Sequence, residues 1–277
     1  MIIELKKKVT RKELINEIRK KQSFLCIGLD TDPSKIPTFL KRKNDPIFEF
    51  NKSIIEATQH LCVAYKLNLA FYESLGEVGW QSLKKTLDYI PKNIFTIADA
   101  KRGDIGNTAS MYAKTFFETY QFDSVTLSPY MGKDSITPFL DRKGKWAIVL
   151  GLTSNPGAED FQMKELRSGE FIFEKVISTA KEWGNHENMM FVVGATKSEK
   201  LKRIREVAPK HFLLVPGIGA QGGSLEEVCE NGLNQDVGLL INSSRGIIYA
   251  SQAEDFAQAA ANAAESIQSQ MKAILEK

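Results

Sequence analysis

Short apolar runs recur along the chain, and helix-like segments separate them. Each run holds four to six mainly apolar residues between polar, glycine or proline residues, which is typical of a strand buried on both faces. Eight such runs occur, at residues 24–29, 61–65, 94–98, 124–127, 146–150, 190–193, 212–215 and 237–241. Strands that alternate with helices indicate a parallel sheet.

Helix-start signals mark several of the intervening segments. Thr10 with Glu13 forms a capping-box pattern that predicts a helix over about residues 11–21. Asp45 followed by Pro46 predicts an N-cap and a first helical residue, and this helix is expected to end near His60. An alanine-rich stretch at about residues 253–276 predicts a long C-terminal helix on the outside of the sheet.

The number of repeats decides between two parallel architectures. An open doubly wound sheet usually has five to seven strands, whereas eight strand–helix repeats in roughly 220 residues favour a closed (β/α)8 barrel, the TIM-barrel fold of the α/β class. No linker rich in proline, glycine or serine divides the chain, so we predict one domain over residues 1–277. The longest departure from the repeat, residues 151–184, begins with turn-forming residues and is predicted to be helical from about residue 171.

Composition excludes several classes of partner. A net charge of +3 from 37 basic and 34 acidic residues is too small to predict a nucleic-acid or membrane-surface protein. No apolar run approaches the ~18 residues of a membrane helix. Residues 1–8 lack the apolar core of a signal peptide, so a cytoplasmic location is expected.

The cysteines and histidines do not suggest a metal site. Three cysteines, an odd number with wide spacing, predict buried thiols in a reducing compartment rather than disulfides: Cys26, Cys62 and Cys229. Three histidines share no ligand spacing: His60, His186 and His211. We therefore expect no metal site built on histidines or cysteines.

Charged residues follow the first three predicted strands. In a barrel of this type the loops at the C-terminal ends of the strands form the active site. Asp30 follows the first run and Lys66 the second, while Asp99, Lys101 and Asp104 follow the third. These side chains should therefore meet at one side of the barrel mouth.

The third strand end carries the most specific pattern. The period of two along a strand places Asp99 and Lys101 on one face, with Asp104 in the following loop. Carboxylates beside a lysine keep it cationic, which suits a proton donor or an anion partner and not a Schiff-base nucleophile. A structural salt bridge is the alternative, and Asp30 and Lys66 at neighbouring strand ends weigh against it.

Features suited to phosphate follow the last two strands. Residues 217–222 formally match the dinucleotide pattern GxGxxG, but they follow the seventh strand rather than opening a βαβ unit with a later acidic residue. Barrels bind phosphate at this place with backbone N–H groups. Arg245, beside Gly246 after the eighth strand, could add bidentate hydrogen bonds. Either element alone could be an ordinary turn or surface arginine; together they predict a monophosphate site.

At this point the chain resembles the orotidine 5′-monophosphate decarboxylases. DAKRGDIGNT at residues 99–108 is similar to their DxKxxDIxxT signature, and in its longer form to the bacterial type 2 subfamily. The similarity extends to the segments at 28–30, 66, 153–157, 216–222 and 242–246, in family order over about residues 23–250. The stretch at 159–184 is longer than in the shorter family type and leaves the construction of the lid over the pyrimidine open.

The resemblance implies a role for each matched residue. Lys101 would protonate C6 of orotidine 5′-monophosphate, Asp99 would lie beside its carboxylate, and Asp30 with Lys66 would contact the ribose. The remaining implied contacts are Ser154 and Pro216 at the pyrimidine, Gln221 and Arg245 at the phosphate, and Asp104, Ile105 and Thr108 in the site of a neighbouring subunit of a homodimer. The resemblance also implies an enzyme without a metal or cofactor. Its reaction would convert orotidine 5′-monophosphate to UMP and CO2, which is the last step of pyrimidine synthesis.

Two alternatives stay open. A magnesium-dependent sugar-phosphate decarboxylase or aldolase of the same superfamily resembles this pattern in DxKxxD, but such relatives have a carboxylate ligand where this chain has Lys66. A barrel that binds a phosphate ligand without catalysis is the second alternative, and it would not need a buried Asp-Lys-Asp cluster.

Overall fold

A computed structural model describes residues 9–195, 198–218 and 223–277. Eight parallel strands close into a barrel in chain order, each paired with its neighbours in sequence and β1 paired with β8. The strands are β1 Leu25–Gly28, β2 Ala64–Asn68, β3 Phe95–Arg102, β4 Ser124–Leu127, β5 Trp146–Leu152, β6 Met189–Val193, β7 Phe212–Pro216 and β8 Leu239–Ser243. The predicted (β/α)8 barrel is confirmed.

Helices connect the strands around the outside of the barrel. The α-helices are α1 Arg11–Lys21, α2 Pro46–Thr58, α3 Leu69–Glu73, α4 Gly76–Tyr89, α5 Gly106–Lys114, α6 Thr137–Leu140, α7 Ile172–Ala180, α8 Ser198–Val207, α9 Leu225–Gly232, α10 Arg245–Ile248 and α11 Phe256–Leu275. Short 3-10 helices span Thr38–Arg42, Lys133–Ser135 and Pro156–Asp160, and a π-helical turn, Thr115–Thr119, extends α5. None of the helices in the described ranges has the length and apolarity needed to cross a bilayer.

The predicted helix starts are confirmed at the level of single hydrogen bonds. The Thr10 hydroxyl accepts from the Glu13 amide, and the Glu13 carboxylate accepts from the Thr10 amide, so two amides at the start of α1 are satisfied. The Asp45 carboxylate accepts from the Phe48 amide at 3.1 Å and Pro46 is the first residue of α2. The long C-terminal helix is present as α11.

The predicted position of the second strand is wrong by three residues. The apolar run at 61–65 is buried, but β2 begins at Ala64 and continues through Lys66 to Asn68. The strand keeps polar residues at its C-terminal end because that end lines a cleft. A hydrophobic pattern therefore places such a strand too early.

The three cysteines are free and buried, as predicted.

His211, in front of β7, is buried in a cationic environment. Its ring packs against Phe191 and His186, and neither ring nitrogen has a hydrogen-bond partner within the described residues. Burial, followed by the charges of His186, Arg11, Arg205 and Lys181, lowers the pKa of His211 to about 4. The unfolded chain, with an ordinary histidine pKa near 6.5, binds a proton in this range that the folded chain excludes.

We therefore expect His211 to make folding sensitive to acid. Its contribution to the free energy of unfolding is complete above about pH 6.5 and is lost as the pH falls towards 4, by roughly 3 kcal/mol. Denaturant unfolding between these two pH values should show a smaller loss of stability in His211→Leu than in the wild type. The exposed His60, replaced in His60→Gln, is the control and should behave as wild type. Equal pH dependence of His211→Leu and wild type would contradict this account.

Candidate active site

A cleft of about 560 Å³ opens at the C-terminal ends of the strands. Its lining draws on the C-terminal ends of seven of the eight strands, or on residues that follow these ends, as expected for a site built on this fold. Seven of the side chains predicted from the sequence line it: Asp30, Lys66, Asp99, Lys101, Ser154, Pro216 and Arg245. Residues that are separated by more than 200 positions in the sequence are thus brought to one cavity.

Four charged side chains form a continuous ionic network at the β1–β3 side of the cleft. The Lys66 ammonium lies 2.9 Å from Asp99 Oδ2 and 3.5 Å from Asp30 Oδ1. The Lys101 ammonium lies 2.6 Å from the other Asp99 oxygen, Oδ1. Asp99 is therefore bracketed by two cations, and its two oxygens have different partners.

The network differs in burial along its length. Lys66 and Asp99 are 5% and 8% exposed, whereas half of the Lys101 side chain is accessible. Burial alone would raise the pKa of the Asp99 carboxyl, but the Lys66 and Lys101 ammonium groups outweigh it and hold that pKa well below its usual range. Burial alone would lower the pKa of Lys66, but Asp99 and Asp30 raise it above the ordinary value. Both buried groups are therefore charged at neutral pH.

The backbone at Lys101 is not that of a regular strand. The pairing of β3 with β4 slips between Ala98 and Arg102, and Lys101 has a φ of +46°. Strand periodicity predicted that Asp99 and Lys101 share a face. Their side chains do meet, but through a bulge with a left-handed residue, in which the lysine leaves the regular ladder.

The opposite side of the cleft is more apolar. Leu150, Val192 and Leu214, from β5 to β7, face the same cavity as the ionic network. Ser154 lies close to this wall because a glycine directly follows β6: a Cβ on Gly194 would be 2.7 Å from the Ser154 backbone nitrogen. An apolar wall with a few polar groups suits a planar ring.

Gln162 from the long β5–α7 connection holds the segment before Ser154. Its Oε1 accepts from the Thr153 amide at 2.7 Å, and its Nε2 donates to the Thr153 hydroxyl at 2.9 Å. Thr153 and Asn155 also line the cleft. The connection predicted as turn and then helix is a 3-10 helix followed by α7, and through Gln162 it holds a segment that lines the cleft.

The segments after β7 and β8 close the third side. Gly217 has a φ of +104°, a conformation that favours glycine, and it lines the cleft together with Ile218. Arg245 is exposed there at the start of α10. Gln221, predicted for the same place, lies outside the described residues.

Three predicted site residues do not line this cleft. Asp104 accepts a hydrogen bond from the amide of the next residue, Ile105, at 2.8 Å, and both precede α5. Ile105 is 48% exposed, and Thr108 in the first turn of α5 is exposed. Within one chain these residues are therefore separate from the ionic network.

The structure adds cleft residues that were not singled out from the sequence. Asn68 and Tyr249 line the cleft; Asn68 lies two residues beyond Lys66 on β2, so strand periodicity could have found it. The Tyr249 hydroxyl donates to the Asp30 carbonyl at 2.9 Å and accepts from the Asp32 amide at 2.7 Å. No sequence signal marks that contact, because it joins positions 219 residues apart.

The donor set of the cleft is that of an ionic site. In the described part of the chain no group of three His, Cys, Asp or Glu side chains is arranged to hold a metal ion. The Lys66 ammonium lies between Asp30 and Asp99, the position that a cation bridging these carboxylates would need. Charge neutralisation between them is thus supplied by the protein.

The fold and the cleft define a class, the (β/α)8-barrel enzymes with a charged centre at the strand ends. The profile of the Orotidine 5′-phosphate decarboxylase / HUMPS family matches residues 23–261. The chain belongs to this family.

Individual relatives agree over nearly the whole chain. It is 58% identical to the orotidine 5′-phosphate decarboxylase of Phocaeicola vulgatus over 270 residues, covering 96% of this chain and 99% of that protein. Identity to the protein of the same name from Christiangramia forsetii is 59% over 272 residues, covering 97% and 100%. The structure of Leishmania donovani OMP decarboxylase aligns with a TM-score of 0.80 at 37% identity, covering 95% of this chain and 98% of that one.

Proposed function

We propose that this chain decarboxylates orotidine 5′-monophosphate to UMP and CO2, without a metal or cofactor, and that it does so in the cytoplasm. The observation that carries the proposal is the Lys101 ammonium, 2.6 Å from a buried, ionised Asp99 at the edge of the cleft. Family membership and relatives of that name at 58–59% identity support the substrate.

The charge network supports a direct mechanism. The bond between C6 and the substrate carboxylate breaks heterolytically. CO2 leaves, and the bonding electron pair stays on C6. The Lys101 ammonium stabilises that developing charge and then gives C6 its proton. The Lys66 cation lies on the far oxygen of Asp99 and keeps the carboxylate in place while the Lys101 proton is lost.

Asp99 contributes through its charge. Its low pKa leaves it ionised when the substrate arrives, so it would repel a substrate carboxylate placed beside it. That repulsion disappears when CO2 departs, which favours the transition state over the bound substrate. Asp30 and Lys66 also line the cleft, where they would contact the ribose hydroxyls.

The phosphate contacts are assigned to the segments after β7 and β8, which close the third side of the cleft. In a closed ring of eight strands, β7 lies across from β3. Gln221 and Arg245 would hold the phosphate there, and Ser154 and Pro216 would contact the pyrimidine between these segments and the ionic network. Binding energy from the remote phosphate can then serve the chemistry at C6.

We also propose a homodimer with composite sites. Asp104, Ile105 and Thr108 lie outside the cleft of their own chain, and Ile105 and Met111 expose about half of their apolar side chains. Tyr130 and Met131, in the neighbouring segment after β4, are 90% and 48% exposed. An exposed apolar surface of this kind suits a subunit interface, across which Asp104 would reach the partner's cleft.

A direct assay tests the proposed reaction. Purified protein, in buffer with excess EDTA, should cause the absorbance of orotidine 5′-monophosphate to fall and should release one CO2 per UMP formed. Turnover that needs added magnesium would favour the metal-dependent branch of the superfamily. Tight binding of the nucleotide without CO2 release would favour a non-catalytic binding protein.

A further inference from the structure

Thr126 in β4 lies between the two residues assigned to the chemistry. Its hydroxyl accepts a hydrogen bond from the Lys101 amide at 2.9 Å and donates one to Asp99 Oδ1 at 3.0 Å. The side chain is 1% exposed and does not line the cleft. One buried hydroxyl thus connects the backbone of Lys101 to the carboxylate of Asp99.

The place of Thr126 in the sheet explains why this connection is needed. Ala98 pairs with Val125 and Arg102 pairs with Leu127, so three residues of β3, 99 to 101, lie opposite the single residue Thr126. The Lys101 amide is displaced from the backbone ladder by this bulge and bonds to the hydroxyl instead. A buried amide without a partner would destabilise the bulge.

The same hydroxyl also orients the carboxylate. Asp99 Oδ1 receives the Lys101 ammonium at 2.6 Å and the Thr126 hydroxyl at 3.0 Å, while Oδ2 receives Lys66. With only the two flexible lysine chains as partners, the carboxylate plane could rotate. The third donor, the hydroxyl of the short Thr126 side chain, fixes the orientation of the carboxylate. It thereby fixes the position of the Lys101 ammonium that is bound to Oδ1.

We propose that Thr126 is a positioning residue for the decarboxylation: its hydroxyl sets the Lys101 backbone and the Asp99 carboxylate in one fixed relation. This inference rests on the proposed function. Lys101 has a left-handed φ of +46°, and a non-glycine residue holds that conformation only where its surroundings impose it. The position of Lys101 should therefore be sensitive to the loss of the Thr126 hydroxyl.

The test uses two replacements that remove the hydroxyl and the methyl group of Thr126 separately. Valine matches threonine in shape and removes the hydroxyl, whereas serine keeps it and removes the methyl group. We expect kcat to fall about 10- to 100-fold in Thr126→Val, as for other losses of catalytic geometry, and to stay within about threefold of wild type in Thr126→Ser. The affinity for UMP, measured by calorimetry, should change less than about threefold in both variants, because Thr126 does not line the cleft.

Thr96 provides the matched control on the neighbouring strand. It is buried, and its hydroxyl donates to Asp123 at 2.7 Å, away from the cleft. Thr96→Val should lower the melting temperature and leave kcat near the wild-type value. If Thr126→Val does not fold, Thr126→Ala against Thr126→Ser makes the same comparison.

The outcomes separate this inference from the proposed reaction. Wild-type protein that does not decarboxylate the nucleotide would mean that the proposed function has failed. An active wild type with an equally active Thr126→Val would overturn the positioning role alone. Equal losses in the serine and valine variants would also overturn it, because the loss of activity would then not depend on whether the hydroxyl is present.

Discussion

Replacing Lys101 with alanine should lower decarboxylation at least about 10⁴-fold and leave the fold intact. The substitution would remove the proposed proton donor, a loss of ordinarily ~10²–10⁴-fold. It would also remove the cation proposed to stabilise charge at C6, a further loss of ~10²–10³-fold. The fold should survive because half of the Lys101 side chain is exposed and Asp99 keeps Lys66 and Thr126 as partners. The measurement is the absorbance assay with the nucleotide at saturating concentration.

Two controls make the Lys101→Ala result specific. Lys84→Ala removes an exposed lysine that pairs with Asp88 on α4 and does not line the cleft, and this variant should keep full activity. Calorimetry with UMP should show that Lys101→Ala still binds the nucleotide, so that the loss lies in kcat. More than about a tenth of wild-type activity in Lys101→Ala, a difference of only ~1.4 kcal/mol, would remove Lys101 from the role of proton donor.

The sequence predicted the barrel because its strands and helices leave local signals. Buried strands are short apolar runs, and the starts of α1 and α2 carry capping residues that act within four positions. The predicted C-terminal ends of two strands were wrong at the cleft. β2 and β8 continue into polar residues, Asn68 and Ser243, because these ends line the cleft, and a hydrophobic pattern stops before them.

The site residues were predictable where a charged residue stands at the end of a predicted strand or directly after it. Asp30, Lys66, Asp99 and Lys101 were found in this way, and the structure brings them into one network. The bulge at Lys101 was not predictable, because it depends on the register of β4 against β3. Contacts between distant segments, such as the Tyr249 hydroxyl on the Asp30 loop, leave no local trace either.

Two inactive variants should restore each other if the sites are shared between subunits. Asp104 lies outside the cleft formed by its own chain, whereas Lys101 lines it. In an isologous dimer each site would then take Lys101 from one chain and Asp104 from the other. A heterodimer of Lys101→Ala with Asp104→Ala would have one site that lacks both groups and one site with neither mutation.

The expected recovery is about a quarter of wild-type activity. Equal mixing with subunit exchange makes about half of the dimers heterodimers, so one site in four is intact. The matched control mixes Lys101→Ala with Asp99→Asn. Because Asp99 and Lys101 contact each other within one chain, every site of that heterodimer lacks one group and no activity should return. Two different affinity tags then isolate the Lys101→Ala/Asp104→Ala heterodimers, in which one site of the two is intact, so the purified heterodimers should have about half of wild-type activity. If purified Lys101→Ala/Asp104→Ala heterodimers are as inactive as their parents, Asp104 does not complete the partner's site, and the composite-site proposal is wrong.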